Sequence, residues 1–194
     1  MNVPSPQIII IAGANGAGKS ALAPFLLRDK FGLTEYVNAD AIALGLSAFR
    51  PESAALEAGR IMLRRLRQLA DEGCSFAFET TLSTRSYAAW LRRLKQQGYN
   101  FHLLFIWLRS PELAVERVKE RVSLGGHNVP EHIIRRRYEK GVRNFFSLYC
   151  RLADSWVVYD NSISGRWLRV AAGKRAVISV IEESLWHQFK EAAK

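Results

Sequence analysis

Apolar residues along the chain fall into two patterns that take turns from one end to the other. Residues 7–12 form an unbroken, largely β-branched block that predicts a buried strand; a glycine-rich turn follows, and then a helical stretch over 19–30. A short second strand is expected at 35–38. Across 52–72 the positions Ala55, Ala58, Ile61, Met62, Leu66 and Leu69 recur with a period of about 3.6 residues, which predicts a long amphipathic helix closed by Gly73. Residues 75–78 read as a strand ending at Glu79. Ser83 or Thr84 then caps a helix running to Gln97, with Gly98 closing it. Residues 102–108 are apolar after His102, as expected of a strand covered on both faces. Ser110-Pro111-Glu112 starts a helix reaching Arg121: a capping hydroxyl, a proline in the first turn and an acid at the positive end of the dipole. Gly125-Gly126-His127 breaks it, and Pro130 opens another helix through Tyr149. A buried strand at 156–159, an edge strand at 167–171 and a closing helix at 176–193 complete the series. Strands alternating with helices predict an α/β domain around a mostly parallel sheet.

Composition narrows this picture. The chain has 194 residues and is 48% hydrophobic, and no internal repeat or linker divides it, so residues 1–194 are expected to form one domain. No apolar run approaches the roughly 20 residues a membrane-spanning helix needs. The N-terminal residues lack the basic segment and cleavage site of a secretory signal, and Cys74 and Cys150 have no paired spacing. Both point to the cytoplasm. The histidines at 102, 127, 132 and 187 have no ligand spacing for a metal cluster. With 28 Lys and Arg against 18 Asp and Glu, the net charge of +10 attracts nucleic acid, an anionic surface or an acidic small substrate alike.

Gly13-Ala14-Asn15-Gly16-Ala17-Gly18-Lys19-Ser20 carries the strongest chemical signal: a glycine, four residues, then Gly-Lys-Ser, between a strand and a helix. Glycines let backbone N–H groups converge on phosphate oxygens, Lys19 neutralises the outer phosphates and Ser20 can hold magnesium. A kinase further needs a carboxylate for the acceptor proton, a cleft at the strand ends, and arginines over the transferring phosphoryl group. Asp40 fits the first as well as it fits a helix cap. Glu79-Thr80-Thr81 fits either contacts to acceptor hydroxyls or a structural turn. Arg117, Arg121 and Arg135 to Arg137 flank the glycine break like a lid, while Glu116, Glu120, Glu131 and Glu139 offer them surface partners. His127 lies beside that hinge. Asp160 is either a Walker B acid or the start of a strand-end turn with Asx-type bonds, and the second is favoured.

Together these segments resemble the zeta-toxin-like P-loop kinases. The resemblance rests on the phosphate loop, Val37-Asn38-Ala39-Asp40, Phe78-Glu79-Thr80-Thr81-Leu82-Ser83, Arg121 to His127 with Val129-Pro130, Arg136-Arg137-Tyr138, and Ala153-Asp154 through Ser162. It implies a three-layer fold with a helical lid and transfer of the ATP γ-phosphate to a hydroxyl of a UDP-amino sugar such as UDP-N-acetylglucosamine. It also implies toxin–antitoxin pairing. Carried over by position, Asp40 becomes the general base, Lys19 and Ser20 bind phosphate and Mg2+, Glu79 and Thr80 contact the substrate, and Arg121 with Arg136 or Arg137 forms the cationic lid. The chain is shorter than typical zeta toxins, and the segments those proteins use around the nucleotide sugar find no match. An antitoxin is expected to be a separate chain, because only six residues precede the first strand. Two other classes stay open: a nucleic-acid-binding ATPase or polynucleotide kinase, whose affinity would fall steeply with salt, and a nucleotide switch without turnover.

Overall fold

A computed structural model describes residues 5–24, 26–27, 32–175 and 177–194. Its centre is a sheet of seven strands in the order β2-β3-β1-β4-β5-β6-β7. The strands are β1 (Gln7–Gly13), β2 (Tyr36–Val37), β3 (Phe76–Thr80), β4 (Asn100–Trp107), β5 (Ser155–Asp160), β6 (Leu168–Lys174) and β7 (Val177–Val180). The first five strands in that order run parallel; β6 runs antiparallel to β5, and β7 antiparallel to β6. β1 lies in the middle with Ile8 to Ala12 completely buried, which is why its sequence has no polar alternation.

The helices are α1 (Lys19–Pro24), α2 (Ala39–Leu46), α3 (Ala55–Asp71), α4 (Tyr87–Gln96), α5 (Pro111–Ser123), α6 (Glu131–Asn144), α7 (Cys150–Leu152) and α8 (Glu183–Glu191). The expectation of one helix over 19–30 is met as far as Pro24; residues 25 and 28–30 lie outside the described residues. Ala58, Met62, Leu66 and Leu69 form the buried stripe of α3, as their spacing demands. On α5, Ser110 Oγ accepts the Leu113 N–H at 3.2 Å. Phe76 and Phe78 meet Trp90 and Tyr87 of α4, while Phe105 meets Phe145 and Phe189. None of the helices described is long and apolar enough to cross a membrane.

Four expectations need correcting. The helix expected to be capped by Ser83 or Thr84 starts at Tyr87, with Ser86 as its N-cap. The helix over 130–149 is interrupted: after Asn144 the backbone forms a π-helical turn, Phe145–Tyr149. The wider turn adds a residue per revolution and turns both Phe145 and Phe146 toward Phe189. The strand expected at 167–171 is not the edge, because residues 177–180 add β7 outside it, where a helix was expected from 176. Val177, Ile178 and Val180 are β-branched and suit a strand, so the closing helix shrinks to Glu183–Glu191. Finally, the helix expected from 52 starts at Ala55, after the 3-10 turn Pro51–Ala54, and α2 fills a stretch before it that the periodicity left unassigned.

The register sets up the site. Ala12 of β1 is level with Thr80 of β3, and Val37 of β2 with Phe78. The phosphate loop, Glu79 and the start of α2 therefore emerge together at the carboxyl edge, where α/β sheets bind ligands.

Candidate active site at the carboxyl edge of the sheet

The loop from Gly13 to Ser20 is shaped by what surrounds its glycines. Gly13 has φ +147°, and a Cβ there would stand 2.3 Å from the Ile106 carbonyl oxygen; Gly18, at φ +88°, would place one 2.7 Å from Asn161 Nδ2. Half-buried Lys19 curls back and donates to the carbonyls of Gly13 at 3.0 Å and Ala14 at 2.9 Å. Burial pushes its ammonium below the usual lysine range; Glu79 and Asp40 oppose this, while Arg121 and Arg137 add to it.

Ser20 and Glu79, 59 residues apart in sequence, meet: Ser20 Oγ donates to Glu79 Oε2 at 3.0 Å. The Tyr36 hydroxyl makes a close hydrogen bond to the other carboxylate oxygen, and its pKa rises through burial and the facing charge of Glu79. Asn38 ties this group to Asp40. Its amide nitrogen donates to Ser20 Oγ and Tyr36 Oη, and its Oδ1 accepts the N–H groups of Asp40 at 2.8 Å and Ala41 at 3.3 Å. Asn38, not Asp40, is thus the N-cap of α2, which leaves the exposed Asp40 carboxylate uncommitted to capping.

Thr80 Oγ1 accepts the Leu82 N–H at 3.1 Å, and Leu82 has φ +57° although it is fully buried. Asn144 Nδ2 holds the Leu82 carbonyl at 2.9 Å, and Gly141 admits Thr81 so closely that a Cβ would lie 2.5 Å from its oxygen. Arg137, one turn before Gly141 on the same helix, donates to Asn15 Oδ1 at 3.3 Å. Burial lowers its pKa, with Asp40 pulling the other way.

Of the arginines read as a lid, Arg121 donates to the His127 carbonyl at 2.6 Å, and Gly126 packs on it so tightly that a Cβ would stand 2.5 Å from its Cγ. Arg117 donates to the Ser162 carbonyl at 3.1 Å. Arg135 pairs with Glu131 and Glu112, as the surface-pair alternative has it. Arg136 is exposed and lines neither cavity described below, so the fold does not bring it to the other site residues. Asp160 is buried, bound by Arg109 Nη2 at 2.7 Å, and accepts the Ser162 N–H at 3.0 Å, the Asx turn favoured from sequence.

Two cavities open on this edge. The first, about 610 Å³, runs from Lys19, Ser20, Asp40 and Glu79 past Gly18 to Trp167, with Arg117 and Arg121 on its lid side. The second, about 420 Å³, holds Arg60, Thr80, Thr81, Tyr87, His127 and Arg137. Asn15, Lys19, Asp40 and Glu79 line both. Tyr36, Asn38, Gly141 and Asn144 support this junction without having been assigned a role from sequence; Asn38 entered only within the Val37-Asn38-Ala39-Asp40 segment.

The Zeta toxin family profile matches residues 2–165. An uncharacterised protein of Haemophilus influenzae is 31% identical over 132 residues, covering 68% of this chain and 92% of its own length. Among solved structures, the AvrRxo1-ORF1:-ORF2 complex with ATP superposes with a TM-score of 0.77 at 16% identity; the match covers 98% of this chain and 65% of the matched chain. The PezAT chromosomal toxin–antitoxin system of Streptococcus pneumoniae gives a TM-score of 0.62 at 16% identity, covering 99% and 87%.

Proposed function

The chain belongs to the zeta-toxin family, and on that premise we propose that it is an ATP-dependent kinase. It transfers the γ-phosphate to a hydroxyl of a small acceptor, with UDP-N-acetylglucosamine the first acceptor to test. The observation that carries this reading is the junction of two cavities at Asn15, Lys19, Asp40 and Glu79. A donor triphosphate in the larger cavity and an acceptor in the smaller one would meet there.

Asp40 takes the acceptor's proton as its oxygen bonds to the γ-phosphorus and the bond to the bridging oxygen of ADP breaks. A positioned base of this kind contributes about 10²–10⁴-fold. Lys19 and Arg121 from the nucleotide side, with Arg137 from the acceptor side, offset the charge that develops on the phosphoryl oxygens. Arg136 stands outside this set. Thr80 shapes the acceptor wall through its turn with Leu82.

Magnesium, were it bound, would be held by Ser20 and Glu79 and would supply positive charge against the phosphates. The hydroxyl–carboxylate pair of Ser20 and Glu79 suits it, since Mg2+ takes a few protein oxygens and completes its shell with water and phosphate. Among the described residues no group of three or more His, Cys, Asp or Glu could hold a metal alone. Glu79, read from sequence as an acceptor contact, is therefore assigned to the metal side.

The test is mass spectrometry of UDP-N-acetylglucosamine incubated with ATP, magnesium and the protein, beside Lys19→Ala and Asp40→Asn. One added phosphoryl group, lost in both variants, is expected. Transfer that persists in Asp40→Asn removes the base; ATP binding without transfer to this or any other small hydroxyl acceptor or 5′-hydroxyl nucleic acid end removes the kinase. A separate inhibitory chain is the proposed partner, and relief of growth arrest by such a chain, with Asp40→Asn harmless alone, is the corresponding expectation in cells.

A further inference from the structure

The nucleotide cavity has two unlike ends. One, at Lys19, Asp40 and Glu79, is shared with the acceptor cavity and receives the terminal phosphate. The other lies past Gly18, where the loop from β5 to β6 returns. That loop is tied on both sides: Asn161 Nδ2 donates to the Ala17 carbonyl at 2.9 Å, and Arg117 of the lid helix donates to the Ser162 carbonyl at 3.1 Å. Its last residue, Trp167, rests against the phosphate loop, with Cη2 3.1 Å from where a Cβ on Gly18 would lie. Trp167 is the one aromatic side chain lining this cavity among the described residues. A triphosphate whose outer phosphate reaches Lys19 runs along the loop glycines and delivers its base to this end.

We infer that Trp167 is the stacking platform for the donor's base and that it serves adenine and guanine alike. The inference rests on the larger cavity being the nucleotide site. Every base has a π-face, so stacking on an indole does not depend on the pattern of donors and acceptors along the base edge. Two polar side chains of this cavity that belong to the same loop, Ser164 and Asn161, add little discrimination. The Ser164 hydroxyl both donates and accepts, so it suits the amino group of adenine and the carbonyl of guanine equally. The amide nitrogen of Asn161 is committed to the phosphate loop, and its Oδ1, which has no hydrogen-bond partner among the described residues, is closed to solvent.

The test is calorimetric titration of the intact protein with MgATP, MgGTP and magnesium tripolyphosphate, for wild type, Trp167→Ala, Trp167→Leu and Trp167→Phe. Losing the ring should weaken ATP and GTP together by about 5- to 150-fold, the equivalent of about 1–3 kcal/mol per stacked base. Tripolyphosphate affinity should be unchanged, and Trp167→Phe should recover most of the loss. Trp167→Leu keeps apolar bulk without a π-face, so it gives the same comparison if Trp167→Ala folds poorly. Equal losses for tripolyphosphate would make Trp167 a prop for the phosphate loop; unchanged ATP binding, or a loss confined to one nucleotide, would also overturn the inference. If no acceptor is ever phosphorylated, the kinase reading fails while this binding pattern still stands or falls by itself.

Discussion

Asp40 and Glu79 are two carboxylates at one junction, and their surroundings separate their work. Asp40 is exposed at the start of α2, while both Glu79 oxygens accept hydrogen bonds, from Ser20 and Tyr36. Asp40→Asn should lower kcat by about 10²–10⁴-fold without changing the magnesium concentration needed for half-maximal rate. Glu79→Gln should instead raise that concentration, and initial rates across a magnesium titration distinguish the two. Asn144→Leu leaves the buried Leu82 carbonyl without its donor, at a cost of about 1–3 kcal/mol in urea unfolding. It should also raise the acceptor KM, because the released turn carries Thr80 and Thr81. The phosphate loop was legible at this scale because its spacing is local. The contact of Glu79 with Ser20 was not legible, because nothing in a linear chain reveals a partner 59 positions away.

Elements were legible where one face had to be buried and obscure where context decided. The stripe of α3 and the apolar block of β1 follow from burial alone. The π turn after Asn144 and the β6–β7 hairpin follow from neighbours: an aromatic cluster in one case, an available sheet edge in the other. At the opposite edge of the sheet from the active site, His102 joins β1, β4 and β5, with Nε2 2.6 Å from Gln7 Oε1 and Nδ1 2.7 Å from Ser155 Oγ. Burial holds its pKa below the usual 6.5; Asp154 opposes this, and Lys174 and Lys95 add to it. The unfolded chain thus binds this proton more readily, so the His102 contribution is complete above pH 6.5 and is lost as pH falls toward the folded value. Asp154 acts at lower pH. Burial alone would raise it, but bonds from Lys95 and the Phe101 N–H outweigh this, so its contribution holds above pH 3.8 and declines as pH falls through the lowered folded value. Urea midpoints measured from about pH 7.5 down to about pH 2 should show both steps, and His102→Gln should remove the first.

For the whole molecule, all seven strands described form one sheet, and the core extends from Leu33 beside β2 to Phe189 of α8. One cooperative unfolding transition is expected, with calorimetric and van't Hoff enthalpies equal; two resolved transitions would contradict the single domain read from sequence. Magnesium–ATP at about 100 times its Kd should add about 2.7 kcal/mol to that transition, and Lys19→Ala should abolish the gain. The charge of +10 belongs to this scale as well. It should give weak, sequence-independent oligonucleotide binding that fades with salt, and this binding should survive Asp40→Asn because it draws on the surface field and not on the junction.

The sequence by itself determined the strand–loop–helix that binds phosphate, the alternation that makes an α/β sheet, and the set of acids and arginines available for chemistry. These depend on spacing over a few residues, where backbone geometry and burial leave little choice. Tertiary structure alone decided which of those groups meet. The parallel register brought Glu79 to Ser20, Asn38 took the cap and left Asp40 uncommitted, α6 carried Arg137 inward while Arg136 stayed exposed, and the β5–β6 loop laid Trp167 against Gly18. Each of these depends on contacts across long stretches of chain, and sequence spacing carries no record of which distant surfaces fold together.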